Sequence, residues 1–220
     1  MEPSFQEQLE IAFPADTDAN MIRAIRQGLL LADHAVESER FLRNLVGQDL
    51  RGHLRRAGIL FTIHDMAVAG DIPFEAHMVP MPRGNWHWVE LRSQNFKAHI
   101  CRADGPAQFP EETPVRQDAR LVNQPDLFLP AIPLGAPTLR LAWLTFGAGD
   151  AGNMSHLCWG MPSAKDDEWL ARINVLRRHE ASGLETPVER PTRSVGLRFR
   201  DHIEEALDKD DAESDETAGR

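Results

Sequence analysis

The period of the apolar residues changes at Gly70, and that change limits the chain to a fold with helices first and a sheet after them. Before it, Ile22, Ile25, Leu29, Ala32 and Val36 recur every three or four residues, the spacing of one helix face, with Thr17 placed as the cap. A second helical stretch carries Phe41, Leu42, Leu45 and Val46 and stops at Gly47. A third runs from Asp49 towards Ala69 on Leu50, Leu54, Phe61 and Met66, with Gly52 and Gly58 opposing it by roughly 1 kcal/mol each relative to alanine.

After Gly70, WHWVELRS and NFKAHICR read as short strands separated by a polar turn, which predicts a hairpin. With Gln94 and Asn95 as the turn residues, Leu91 faces Ala98 and Val89 faces Ile100 towards the core. Glu90, Arg92, Lys97 and His99 then share the opposite face. Arg92 stands across from Lys97 in this register, so either the turn is longer or a carboxylate or anion lies between the two cations. Residues 105–137 hold seven prolines and predict an ordered irregular loop, with LFLPAIPL packed along the domain surface. LRLAWLTF and MSHLCWGM predict a second strand pair, and Ser163 opens a helix containing Trp169, Leu170, Ile173 and Leu176.

The expected fold class is α+β: N-terminal helices, an antiparallel sheet built from two hairpins with helices on one face, a C-terminal helix and a disordered acidic tail. Residues 1–182 are expected to form a single domain, 183–200 a linker or docking segment containing VGLRFR, and 201–220 the tail, with a helical turn at IEEAL. The net charge is −10, of which nine acidic and two basic residues in 201–220 supply −7, leaving the body at −3. Such a body has no general affinity for nucleic acid but leaves room for a local basic patch. The opening MEPSFQEQLEIAFPADTD lacks the basic start and apolar run of a signal peptide, so the cytoplasm is the expected location. Cys101 and Cys158 are expected as reduced, buried thiols.

Several motifs bear on chemistry. Gly147, Gly149 and Gly152 spell G-x-G-x-x-G, but a second strand follows where a dinucleotide site needs a helix, which makes the string a hairpin loop. Arg40, Arg43, Arg51, Arg55 and Arg56 crowd one helical region; Arg51, Arg55 and Arg56 are its candidate anion-binding residues, against the reading of a solvated helix surface. His53, His64, Asp65, Asp71, Glu75, His77, His87, Glu90 and His99 include no H-E-x-x-H and no Cys-x-x-Cys, so no metal site is assigned. Asp71, Glu90 and Arg92 offer an alternative catalytic set, two carboxylates for a divalent metal and a cation for phosphate charge, as a metal-dependent nuclease would need. Neighbouring strand residues point to opposite faces, which sets Ser155 apart from His156. Trp86, Trp88, Glu90, Arg92, Lys97 and His99 form the candidate binding face, an aromatic and charged sheet surface of the kind that partners recognise.

Through GQDLRGHLRRAGILF, WHWVELRSQNF, LTFG, CWGMP and DEWLARINVL, spread over about residues 40 to 176, the chain resembles a group of bacterial proteins encoded beside a helix-turn-helix regulator or an ImmA/IrrE-type metallopeptidase. The resemblance implies a protein-binding component of a two-gene toxin-antitoxin, stress or phage-defence module, with a protein partner encoded by a neighbouring gene. It brings no active residues with it. A DNA-binding regulator using the arginine-rich helices is the third reading, although no helix-turn-helix signature accompanies them.

Overall fold

The computed structural model describes residues 3–81, 86–123, 139–149 and 153–183. All belong to the first of two compact units, Met1–Val188; the second, Glu189–Arg220, lies outside the described residues, and with it the expected tail, IEEAL and VGLRFR. LFLPAIPL lies outside them as well.

Six helices are described: α1 (Phe5–Ala12), α2 (Asp18–Ser38), α3 (Leu45–Asp49), α4 (Arg51–Val68), α5 (Pro114–Arg120) and α6 (Val175–Ser182). The first starts on a capping box, in which Ser4 accepts from the Glu7 amide while the Glu7 carboxylate accepts from the Ser4 amide. Thr17 does not cap α2 through its side chain: a 3₁₀ turn, Ala15–Thr17, leads straight into the helix, and the Thr17 hydroxyl donates to the Pro14 carbonyl. The expected second helix is instead a 3₁₀ turn, Arg40–Leu42, followed by the five residues of α3, which Asn44 caps through the Gly47 amide. Gly47 lies inside α3 and does not end it; glycine is needed there because a Cβ would meet the Leu42 backbone at 2.1 Å.

Gly58, which weakens α4 by propensity, is what lets it pack. A Cβ on Gly28 would lie 2.4 Å from the Ile59 Cα, and one on Gly58 would lie 2.3 Å from the Gly28 carbonyl oxygen. The α2 and α4 backbones therefore touch where both helices lack a side chain. Five residues further along α2, Asp33 takes both guanidinium donors of Arg55 at 3.0 Å. These two links fix the helices antiparallel.

The sheet has six strands in sequence order: β1 (Glu75–Pro80), β2 (His87–Ser93), β3 (Phe96–Arg102), β4 (Arg140–Ala148), β5 (Met154–Pro162) and β6 (Trp169–Asn174). The β2–β3 hairpin has the expected register, with Leu91 opposite Ala98 and Arg92 opposite Lys97. Gln94 makes the tight turn in the left-handed region at φ +50°. The expected antiparallel sheet is corrected at its centre: β3 and β4 run parallel, Cys101 beside Thr145, while every other pair is antiparallel. Two three-stranded meanders thus meet along one parallel seam. The reason is the connection of residues 103–139, long enough to cross the sheet and return β4 in the direction of β3. Within it lie α5 and a 3₁₀ turn, Leu121–Asn123, where the prolines predict no regular element; Pro114 sits in the first turn of α5, where a missing N–H costs nothing.

Residues 169–174 form strand β6, not a helix. Alternate residues Ala171, Ile173 and Val175 enter the core, and the helix begins only at Val175, capped by Asn174. Helices α1, α2, α4 and α6 cover one sheet face, around Phe13 stacked on Trp159 at 3.9 Å. On the other face Phe109, from the β3–β4 connection, packs against Trp143 and Trp169, and the Trp169 indole donates to the Ala107 carbonyl. Covering on both sides explains why β4 and β5 are buried almost end to end. No helix among the described residues is long and apolar enough to cross a membrane.

Candidate functional site

A cleft of about 880 Å³ opens at the carboxyl ends of the parallel strands β3 and β4, between the first half of α4 and residues 109–116. Ladder direction and alternation explain its walls. On β3, His99 and Cys101 are two residues apart and share the face away from the helices, with Trp88 of β2 beside them. The Trp88 and His99 rings lie 5.2 Å apart, tilted by 45°. The first turns of α4 bring Arg51, His53, Arg55 and Arg56 to the same space, and the loop before α5 brings Phe109 and Arg116.

Five arginines line the cleft, Arg51, Arg55, Arg56, Arg102 and Arg116, against the carboxylates of Asp49, Asp104 and Glu111. Their commitments differ. Arg55 belongs to Asp33, Arg51 lies 3.8 Å from the same carboxylate, and Arg102 lies 3.8 Å from Asp104. Arg116 donates to the Glu111 carbonyl, and Arg56 meets no carboxylate among the described residues. Burial pushes the Cys101 thiol above the ordinary thiol range, against the attraction of Arg116 and Arg56 for a thiolate. At the first turn of α4 no side chain caps the backbone, and a Cβ on Gly52 would meet nothing within 4 Å.

On the candidate face of the hairpin Trp86 and Arg92 are exposed, Trp88, Lys97 and His99 are half-buried, and Glu90 lies beneath them. Glu90 is buried, accepting from Arg92 Nε at 2.9 Å and from His99 Nε2 at 3.3 Å. The His99 hydrogen bond, followed by that of Arg92, holds the Glu90 carboxyl down at about 2 against the opposing effect of burial. Glu90 thus offsets the charge of Arg92, the cation that stands across from Lys97. Its depressed pKa stabilises the folded state above the ordinary carboxylate range, and that contribution disappears as pH falls from about 4.5 to about 2. Glu90→Gln is therefore expected to lose less stability than the parent between pH 5 and pH 2, read as urea midpoints across that window. Trp88 and His99 line the cleft, whereas Trp86 is exposed and stacks on His53 at 6.0 Å.

The alternative catalytic set does not converge. Asp71 pairs with Arg23 at 3.2 Å, and its position before Glu75, which faces Arg92, sets it beyond the end of the ladder, away from the His77–Glu90 pair. No group of three His, Cys, Asp or Glu side chains among the described residues could hold a metal ion. The expectation for Ser155 and His156 is corrected: the Ser155 hydroxyl and His156 Nδ1 are 3.1 Å apart. Ala148 pairs with Met154 and Gly147 with His156, so Ser155 is the extra residue of a bulge and leaves the alternation. Gly147 leaves the room this pair needs, since a Cβ there would lie 2.2 Å from the Ser155 hydroxyl. Burial lowers the His156 pKa and favours the neutral ring. Gly147 lies within β4 and Gly149 bonds across to Asn153, as a hairpin loop requires. Cys101 and Cys158 are free and buried, separated by the strand that carries Thr145.

Cys101, Arg102, Phe109 and Arg116 are the cleft residues that sequence reasoning missed. Strand alternation from His99 reaches Cys101, but nothing local ties Arg116 to it. Comparison with protein-family models, curated proteins and solved structures finds no match to the chain.

Proposed function

We propose that this chain is a non-catalytic binding protein whose ligand carries a phosphate or carboxylate group, held in the cleft between α4 and the ends of β3 and β4. The observation that carries the reading is Arg56 and Arg116 facing a half-enclosed space with no carboxylate partner among the described residues. A guanidinium offers planar paired donors to an oxyanion, and partial enclosure strengthens the attraction over its value in water. Titration calorimetry with inorganic pyrophosphate at low salt tests this. Binding is expected, with Arg56→Ala and Arg116→Ala each weakening it about tenfold, the scale of one charge-assisted hydrogen bond. An unchanged affinity in both variants places the anion elsewhere.

A second reading, a protein partner supplied by a neighbouring gene of a two-gene module, rests on a different feature. Leu45 is 78% exposed, Val46 70% and Trp86 58%. The first two belong to α3, which ends at Asp49 in the cleft wall, and Trp86 stacks on His53 of the same wall. Apolar side chains beside a charged opening suit an interface core with a polar rim. Native pull-down from the host, with Leu45→Glu/Val46→Glu as control, distinguishes a partner that uses this rim from one that does not.

A further inference from the structure

Resting on the anion-binding reading, we infer that the cleft takes a free mononucleotide, with its phosphates at Arg56, Arg116 and the open first turn of α4 and its base against the Trp88–His99 wall. A bare anion would use only part of what the cleft provides. Its volume of about 880 Å³ is several times what phosphate needs and falls in the range of sites for drug-sized ligands. Part of the cleft wall is aromatic: Trp88 and His99 stand 5.2 Å apart at 45°, and Phe109 comes from the β3–β4 connection. Such rings stack on any heteroaromatic base. Three carboxylates, Asp49, Asp104 and Glu111, stand among the cations. They repel a simple anion but accept hydrogen bonds from ribose hydroxyls, a division of roles that a sugar phosphate uses in full.

The phosphate end has its own support. Arg56 from α4 and Arg116 from α5 both line the cleft. Arg51, Gly52 and His53 line the cleft at the start of an 18-residue helix that no side chain caps, and the space in front of Gly52 is open. Backbone amides there add donors to those of the guanidinium groups.

The test titrates the full chain with ADP, GDP, CDP and UDP, with inorganic pyrophosphate, and with a 5′-phosphorylated tetranucleotide, and reads affinity by calorimetry. At least one nucleoside diphosphate is expected to bind tenfold or more tightly than pyrophosphate. Trp88→Leu is expected to remove that advantage, leaving pyrophosphate affinity unchanged, because the loss of one stacked base costs about tenfold. Trp88→Phe, which keeps a ring, is expected to restore most of it and separates stacking from damage to the fold. Equal affinity for pyrophosphate and every nucleoside diphosphate overturns the nucleotide inference and leaves the anion-binding reading standing. Absence of binding by any of them overturns both. Tighter binding of the tetranucleotide than of any nucleoside diphosphate replaces the free nucleotide with a nucleic-acid end.

Discussion

Gly28→Val is expected to cost about 3 kcal/mol or more, at the upper end of what overpacking exacts, because the new atoms meet backbone and not a movable side chain. The Cβ alone would sit 2.4 Å from the Ile59 Cα and 2.6 Å from its amide nitrogen, so α2 and α4 must separate. Separation stretches the Asp33–Arg55 pair and opens the apolar seam around Ile25, Leu29, Ile59 and Ile63. Urea unfolding checks this, with a large drop in midpoint at unchanged slope. Gly52→Ala on α4 is the contrast, since a Cβ there meets nothing within 4 Å, and a gain of up to about 1 kcal/mol is expected from helix propensity.

Arg178→Ala is expected to cost about 3–5 kcal/mol, the loss seen when one partner of a buried ion pair is removed. Asp18 is fully buried and takes two donors from Arg178, at 2.7 Å and 2.6 Å, while the same guanidinium reaches the Phe13 carbonyl at 3.0 Å. One side chain thus ties α6 to the start of α2 and the end of α1. Removing it strips the buried carboxylate of its hydrogen-bonded guanidinium. Asp18→Asn is expected to cost less, because Arg178 is partly exposed and can turn to water. The pH dependence gives a separate check. Burial already raises the Asp18 pKa above its ordinary value despite Arg178. A raised folded pKa favours the protonated form in the folded state, so the penalty of the variant is greatest above that pKa and diminishes as pH falls through it. Thermal midpoints of Arg178→Ala and its parent should therefore converge as pH is lowered from 7 towards 4.

The elements that could be read from sequence are those fixed by local rules. Alternation and a two-residue turn set the β2–β3 register to the residue, down to the awkward Arg92–Lys97 pair. Continuous apolar runs marked β4 and β5, whose burial on both faces gives them such runs. Trp169, Leu170, Ile173 and Leu176 fit a helical period, yet Ala171, Ile173 and Val175 fit an alternating one equally well, and in so short a segment only the β5 edge decides. Helix α1 is legible in its Ser4–Glu7 box, but its apolar stripe of Phe5, Leu9 and Ala12 is too short to give a clear period. Strand β1 hides in EAHMVP, a half-exposed edge on which Ala76 alone packs against the main core. In the cleft, the arginines of α4 and the Trp88–His99 pair stand out separately in the sequence. Their meeting does not, since it depends on helix packing at Gly28 and Gly58 and on a crossover whose prolines disguise its direction.

The parallel seam also sets an order on self-assembly. Each meander closes through short local links, so β1–β2–β3 and β4–β5–β6 can form early, at little loss of chain freedom. Pairing β3 with β4 must first close the whole span of residues 103–139. That step alone completes the cleft, because Cys101 and Ala148 stand on opposite sides of the seam and both line it. The candidate site therefore exists only once the two halves of the sheet have paired along β3 and β4.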